Sequence, residues 1–441
     1  MVTQAMISVE DALERILSYV HRLEPEERPL LDTLGQLLAE DVAAGFDIPP
    51  LDNTAMDGYA VRAADTEGAA EASPVRLSVT GELAAGYLFE GEVTPGTAVR
   101  IMTGAPIPRG ADAIVPFEET DEVSTGSAGA PPAGPQLERS DRWVQVLKAA
   151  ELGANIRRAG EDVRRDAPVM PQGTVLGPAQ IGVLASLGRA TVRVYRRPVV
   201  AILSTGDELL DLGQPIAPGK IYDSNAYSVA AMVREAGGVP KRLGIASDTV
   251  EALTAKLRQG LDADLLITSA GVSRGDFDVV KDVLAKEGEI DFWTVRMKPG
   301  KPLAFGAFPS RAKGESASGR GDRRVPHIGL PGNPVSSMIT FELFGRPAVF
   351  KMLGRADWER RRVRAVAEER IVNTDGRRVY ARAILTERDP DGRGSRYYAS
   401  LTGPQGSGIL TSMALANALA VVPEHIPAIE PGDEVECLLL D

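Results

Sequence analysis

His327-Ile328-Gly329-Leu330-Pro331-Gly332-Asn333-Pro334-Val335-Ser336-Ser337 is an apolar run that stops at a Pro/Gly turn, and a helix is predicted to begin near Val335. Upstream, Val295-Arg296-Met297-Lys298-Pro299-Gly300-Lys301-Pro302-Leu303-Ala304-Phe305-Gly306 again sets an apolar run against such a turn, here carrying two lysines. Proline fixes φ, and glycine lets backbone approach a ligand closely. Either turn alone reads as an ordinary tight turn. Together they supply rigid cationic loops at strand ends, which is what a polyanion site needs.

The pattern extends over residues 198–350. Apolar runs at 199–203, 239–245, 264–268, 292–296, 303–308 and 327–330 alternate with helix-period segments near 224–236, 250–261 and 279–284. Such alternation predicts βαβ units and a mainly parallel sheet with helices on both faces. Ligands of these sheets bind at the carboxyl ends of the strands. The turns 204–208, 269–278 and 330–336 should therefore gather on one edge, with the 298–301 turn beside them. Residues 309–326, basic and rich in Gly and Ser, read as a surface excursion.

The totals narrow the chemistry. The 441 residues suggest about three domains. A hydrophobic fraction of 44%, a charged fraction of 25% and no run of 18 apolar residues predict a soluble protein with no membrane span. The first 14 residues carry no secretory signal pattern, so a cytoplasmic location is expected. A net charge of −12 argues against a general nucleic-acid coat. One cysteine, Cys437, and three histidines exclude an intrachain disulfide and Cys-rich metal centres. Any bound metal should be hard and oxygen-ligated.

Toward the N-terminus, residues 8–20 show helical spacing, with Ser8 and Asp11 as a start signal. Asp47-Ile48-Pro49-Pro50-Leu51-Asp52-Asn53-Thr54-Ala55-Met56-Asp57-Gly58-Tyr59-Ala60-Val61 reads equally as a loop of Asx turns or as Asp52, Asn53 and Asp57 presented for binding. Short strands at 75–79, 98–102 and 113–116, with Thr103 at a strand end, predict a small β domain. Residues 121–137 read as a hairpin tip or loop, and 157–162 as a charged turn. Strand signals return at 362–367, 379–385, 396–401, 418–422 and 434–440, predicting a second β domain.

Carboxylates gather in the edge turns: Asp207, Glu208, Asp276 and Asp278, with Asp264 at the start of its strand. Two or three of them suit Mg²⁺, which takes few protein ligands and bridges phosphate oxygens; capping a helix is the ordinary alternative for Asp207 and Asp276. Lys298, Lys301 and Ser336 would neutralise a phosphate or another tetrahedral oxyanion. A Walker loop and a Gly-x-Ser-x-Gly elbow are both missing from the sequence. The residues thus point to a Mg²⁺-dependent enzyme acting on a phosphorylated or nucleotide-linked anion.

In order along the chain, 52–61, Arg100-Ile101-Met102-Thr103-Gly104-Ala105, Gly160-Glu161-Asp162, 204–209, 298–301 and 330–336 together resemble the molybdopterin molybdenumtransferase family, to which gephyrin's E domain also belongs. The resemblance implies a multidomain α/β plus all-β fold. Its expected parts are an elongated N-terminal domain (1–46 and 144–177), a linker strand and inserted small β domain (47–143), a doubly wound, mainly parallel molybdopterin-binding domain (178–354) and a C-terminal β-barrel-like domain (355–441). It implies a homodimer whose cleft lies between the doubly wound domain of one subunit and the N-terminal regions of the other. The implied reaction takes adenylylated molybdopterin and molybdate, uses Mg²⁺ to cleave the phosphoanhydride, releases AMP and leaves molybdenum on the dithiolene. The soft sulfur ligands would then come with the substrate. Further implied partners are the upstream adenylyltransferase and downstream molybdoenzyme maturation proteins.

By motif match, the resemblance implies catalytic roles for Asp57, Thr103, Glu208, Asp264, Lys298 and Lys301. It implies binding roles for Ser269, Gly271, Ser273, Pro331, Gly332, Asn333, Ser336, Arg382 and Ser407, and metal ligation by Asp162, Glu208, Asp264 and Asp278. Ala270 stands where the family commonly has glycine, Arg274 adds a cation, and Gly408 stands where a larger residue is frequent. Two other functions compete: a nucleotide pyrophosphatase sharing the doubly wound domain, and a gephyrin-like scaffold. Tungsten in place of molybdenum is also open.

Overall fold

The structure, a computed structural model, describes residues 6–122, 142–269, 283, 286–309, 324–389 and 394–440. It divides into two compact units. One comprises Met1–Ala39, Gly173–Ile181 and Ala190–Asp441, and the other Glu40–Gln172 and Gly182–Arg189.

In the larger unit a six-stranded sheet runs in the order Val239–Ala246, Val199–Thr205, Leu265–Ser269, Arg324–Leu330, Pro302–Pro309, Glu289–Thr294. The first four strands are parallel to one another, and Pro302–Pro309 runs antiparallel to both of its neighbours. Alternate residues feed opposite cores. Val200, Ile202, Leu265, Ile267, Ile328 and Leu330 pack with the helices Val9–Tyr19, Ser224–Glu235, Pro334–Thr340 and Arg346–Met352. Ala201, Leu203, Leu266, Phe308 and Val325 pack on the other side with Leu253 and Leu257 of the helix Val250–Gln259 and with Val283. Burial on both faces explains why these strands read as continuous apolar runs. Local signals set the helix starts. Ser8 accepts from the Asp11 N–H at 3.0 Å, Asp223 from the Ala226 N–H at 3.0 Å and Thr249 from the Ala252 N–H at 3.3 Å.

Beyond Thr205 the chain does not enter a helix directly. Residues 206–222 form an excursion stitched by a two-residue parallel ladder, Leu209–Leu210 with Ile221–Tyr222. This excursion leaves Leu212, Ile216 and Ile221 exposed at 55%, 62% and 57%.

The C-terminal strands close on themselves. Arg378–Arg388 pairs with both Arg396–Leu401 and Ala418–Val422, and Arg362–Ala367 and Glu434–Leu439 complete a five-stranded barrel. Closure removes the sheet edges. Small residues, including Ala365, Ala381, Ala383, Ala418 and Ala420, fill the interior. Cys437 lies fully buried among them, and burial pushes its thiol up to about 12. A short strand, Met297–Lys298, pairs in parallel with Arg378 and Val379 of the barrel. The 298–301 turn is therefore held by the barrel at one end and by the Pro302–Pro309 strand at the other.

The smaller unit contains a five-stranded sheet in the order Ala113–Pro116, Gly58–Val61, Thr97–Ile101, Val75–Leu83, Arg142–Val146. Its two faces pack separate apolar clusters around Val61, Leu77 and Val115, and around Leu83, Val99 and Ile114.

Candidate active site

Strand register places the predicted turns along one edge of the larger sheet. Ser204 pairs with Ser269, Ser269 with Leu330, and Ala304 with Gly329. Because the Pro302–Pro309 strand runs antiparallel, its start and the 298–301 turn lie at the carboxyl ends of the parallel strands. Three strand steps separate Thr205 from Pro302, roughly 14 Å.

The middle of this edge is fastened by a residue not singled out from the sequence. The Asn225 side-chain N–H₂ donates to Ser269 Oγ at 2.8 Å and to the Gly332 carbonyl at 2.7 Å. Asn225 is buried, and its Oδ1 has no partner among the described residues. Its only sequence signal is its place two residues after the Asp223 cap, which says nothing about what the side chain reaches. Pro331 is buried, while Gly332 and Asn333 are exposed. Gly271, Ser273, Asp276 and Asp278 lie outside the described residues, as do Ala270 and Arg274 and residues 310–323 of the basic excursion.

A cavity of about 540 Å³ opens beside this edge, within the size range of small-ligand sites. It brings together Lys298, Lys301 and Ser336 from the sheet edge with Arg382 and Ser407 from the barrel. The two parts are joined where the Ser407 carbonyl accepts the Val335 N–H at 3.1 Å. Gly300 makes the lysine turn possible. Its φ is +98°, and an added Cβ would lie 2.6 Å from Thr340 Oγ1.

The electrostatics of the cavity are one-sided. Arg370 and Arg377 also line it, giving five cations and no carboxylate among the described residues. Neither Lys298 nor Lys301 forms an ion pair with a described residue. Arg382 is 1% exposed. Its Nε donates to Ser412 Oγ at 2.9 Å, Nη1 to the Gln405 carbonyl at 3.1 Å, and Nη2 to the carbonyls of Pro404 at 3.0 Å and Gly406 at 3.1 Å. Four of its five N–H groups are thus used, one remains, and all the acceptors are neutral. Burial lowers the Arg382 guanidinium from its ordinary value, yet an arginine stays charged in a protein. A buried cation with no counter-charge among the described residues, beside a cavity, favours an anionic guest.

Glu208 stands apart from this cavity, in the exposed turn after Thr205. Its carboxylate folds back so closely that a Cβ on Gly206 would lie 2.5 Å from Oε2. It makes no ion pair with a described residue. The neighbouring Asp207 accepts from the Asp248 N–H at 3.3 Å.

Asp264 does not join the edge. It sits at the amino end of the Leu265–Ser269 strand, the end opposite Ser269. Its carboxylate takes Arg196 at 2.6 Å on each oxygen and the Val199 N–H at 2.8 Å. With its side chain only 3% exposed, it is a framework ion pair, and the expectation of a catalytic and metal-binding Asp264 is withdrawn on this geometry. Breaking a buried pair from one side costs about 3 kcal/mol or more. Asp264→Asn should therefore lower the denaturation midpoint while turnover per folded molecule falls less than about threefold. A hundredfold drop in turnover with an unchanged midpoint would restore the catalytic expectation.

In the smaller unit, Asp57 Oδ1 accepts from the Thr103 N–H at 2.6 Å and from Thr103 Oγ1 at 2.7 Å. These two donors, the backbone one foremost, hold the exposed Asp57 carboxyl below the usual carboxylate range. Asp52 takes the loop-building role, tying Arg158 and the Ala159 N–H at 2.7 Å each. Asp162 is exposed, with its backbone N–H on the Ile48 carbonyl.

Family models match three stretches of the chain: the MoeA N-terminal region (domain I and II) over residues 7–188, a probable molybdopterin binding domain over 201–351, and the MoeA C-terminal region (domain IV) over 364–440. The chain is 37% identical over 438 residues to molybdopterin molybdenumtransferase 2 of Mycobacterium tuberculosis, covering 98% of this chain and 99% of that one. It is 33% identical over 436 residues to the molybdopterin molybdenumtransferase of Bacillus subtilis, covering 98% and 94%. The crystal structure of a molybdopterin biosynthesis MoeA protein from Pyrococcus horikoshii matches with a TM-score of 0.76 at 30% identity, covering 99% of this chain and 100% of that one.

Proposed function

The chain belongs to the molybdopterin molybdenumtransferase family, and from that premise we propose that it transfers molybdenum from molybdate to adenylylated molybdopterin with Mg²⁺-dependent release of AMP. The observation that carries this reading is the cationic cavity at the carboxyl edge of the sheet, whose described lining holds five cations and no carboxylate. Molybdate is a tetrahedral dianion, and Lys298, Lys301, Arg382 and the hydroxyls of Ser336 and Ser407 offer it charge and donors from several sides. The nucleotide-linked pterin lies along the edge, against the turns that Asn225 fastens at Ser269 and Gly332.

Mg²⁺ fits what the edge presents. The exposed Glu208 carboxylate makes no ion pair with a described residue, and this ion needs only one or two carboxylates beside substrate phosphates and water. Glu208 would hold it, with Asp278 as the further candidate. When bound, Mg²⁺ supplies charge neutralisation and polarisation at the phosphoanhydride. The chain's own part is to fix the two substrates: the lysines and Arg382 keep the oxyanion beside the dithiolene, and Glu208 marks where the anhydride lies. Asp57, with Thr103, and Asp162 keep the catalytic and metal-binding roles implied by the resemblance.

A homodimer is the proposed working form, supported by the exposed Leu212, Ile216 and Ile221 just beyond Glu208. No described helix is long and apolar enough to cross a membrane, and a cytoplasmic location suits the proposed reaction.

Incubating the purified chain with adenylylated molybdopterin, Mg²⁺ and molybdate should release AMP and metal-loaded product in equal amounts. AMP without metal transfer would favour a pyrophosphatase. Absence of turnover, with tight binding of a peptide partner, would favour a scaffold.

A further inference from the structure

Arg377 reaches the cavity from the barrel rim, just ahead of the Arg378–Arg388 strand. Its side chain is 18% exposed. Nη1 donates to the Met297 carbonyl at 3.3 Å, and Nη2 donates to the Asp375 carboxylate. Asp375 is not part of the cavity wall, and its side chain is 36% exposed. Arg377, and more weakly Lys298, hold its carboxyl below the usual carboxylate range. One carboxylate outside the wall thus pairs with Arg377 and acts at longer range on Lys298, beside a cavity whose described lining has no negative charge.

We propose that Asp375 is the resident counter-ion of this cavity and that an incoming tetrahedral oxyanion displaces it from Arg377. Capture is then an anion exchange. The inference rests on the reading that the cavity receives molybdate. Arg377 is already anchored through Met297, the residue before Lys298, so releasing Asp375 frees donors without moving the lysine turn. The partly exposed carboxylate can turn to water at little cost. Until it does, it repels the arriving dianion and competes for Arg377.

A merely structural ion pair and a counter-ion differ in the sign of their mutational effects. If the pair only braces the rim, breaking it from either side weakens oxyanion binding. If Asp375 is the counter-ion, Asp375→Asn tightens molybdate binding and Arg377→Gln weakens it, each by about three- to tenfold at low ionic strength. Both effects should shrink in 0.5 M salt, where charges are screened within a few ångströms. The measurement is calorimetric titration of the full-length chain with sodium molybdate, alongside thermal unfolding of each variant. Arg377→Lys keeps the charge and should bind within about threefold of the parent; Asp375→Ser replaces the asparagine variant if that one fails to fold. Asp375 variants that bind molybdate no more tightly than the parent would overturn the counter-ion assignment alone. A parent chain that binds neither molybdate nor tungstate would overturn the reading of the cavity, and this inference with it.

Discussion

Arg382→Ala should lower molybdate-dependent product formation by about 100- to 1,000-fold, the usual cost of removing one donor from an oxyanion site. The residue has two duties. Its charge borders the cavity, while four of its donors hold the carbonyls of Pro404, Gln405 and Gly406 and the Ser412 hydroxyl. Alanine leaves those acceptors short of donors, at about 1–3 kcal/mol for each one that stays buried. The loop that delivers Ser407 then loses its fastening, so the midpoint of unfolding should fall as well. Arg382→Lys separates the two duties, because it keeps the charge but cannot reach four acceptors at once. It should recover part of the oxyanion affinity and little of the loop order. Steady-state titration with molybdate, corrected for the folded fraction, gives the answer. An alanine variant that keeps more than a tenth of the parent kcat/KM for molybdate would remove Arg382 from the oxyanion site.

Glu208→Gln should cut AMP release by about a hundredfold, while the dissociation constant for adenylylated molybdopterin moves less than about threefold. Glutamine matches the shape and removes the charge. Glu208 is exposed and pairs with no described residue, so the change opens no cavity and strands no described cation. Its effect should fall on the step that needs Mg²⁺, and raising Mg²⁺ should restore part of the rate. Single-turnover AMP release and equilibrium binding of the nucleotide substrate separate the two quantities. Unchanged AMP release would exclude Glu208 from the mechanism.

Local signals carried much of the fold. The Ser8 cap, the doubly buried strands and all five barrel strands can be placed from periodicity and turn residues alone, because each depends on neighbours in sequence. Barrel closure could not be read that way. It requires Arg378–Arg388 to pair with partners on both sides, and nothing local states that a strand has two. The excursion at 206–222 was hidden for a similar reason. Its ladder is two residues long and parallel, too short to leave a period.

The site was legible where charge and rigid turns coincide, as at 298–301, and misread where charge alone was used. Asp264 looked like one more carboxylate of the cluster. Its position at the start of a strand already put it at the amino end of a parallel sheet, away from the ligand edge, and Arg196 is its reason for being acidic. Asn225 shows the opposite failure. An amide near a helix start looks ordinary until the fold brings two strand-end turns within its reach.

The barrel that holds Cys437 also bears on the chemistry of handling a dithiolene. A surface thiolate could compete with such a guest's sulfurs for the metal before it is seated. Here the chain's sole sulfhydryl is walled in by alanines and valines and stays protonated. The guest's two sulfurs therefore meet no rival from the same polypeptide.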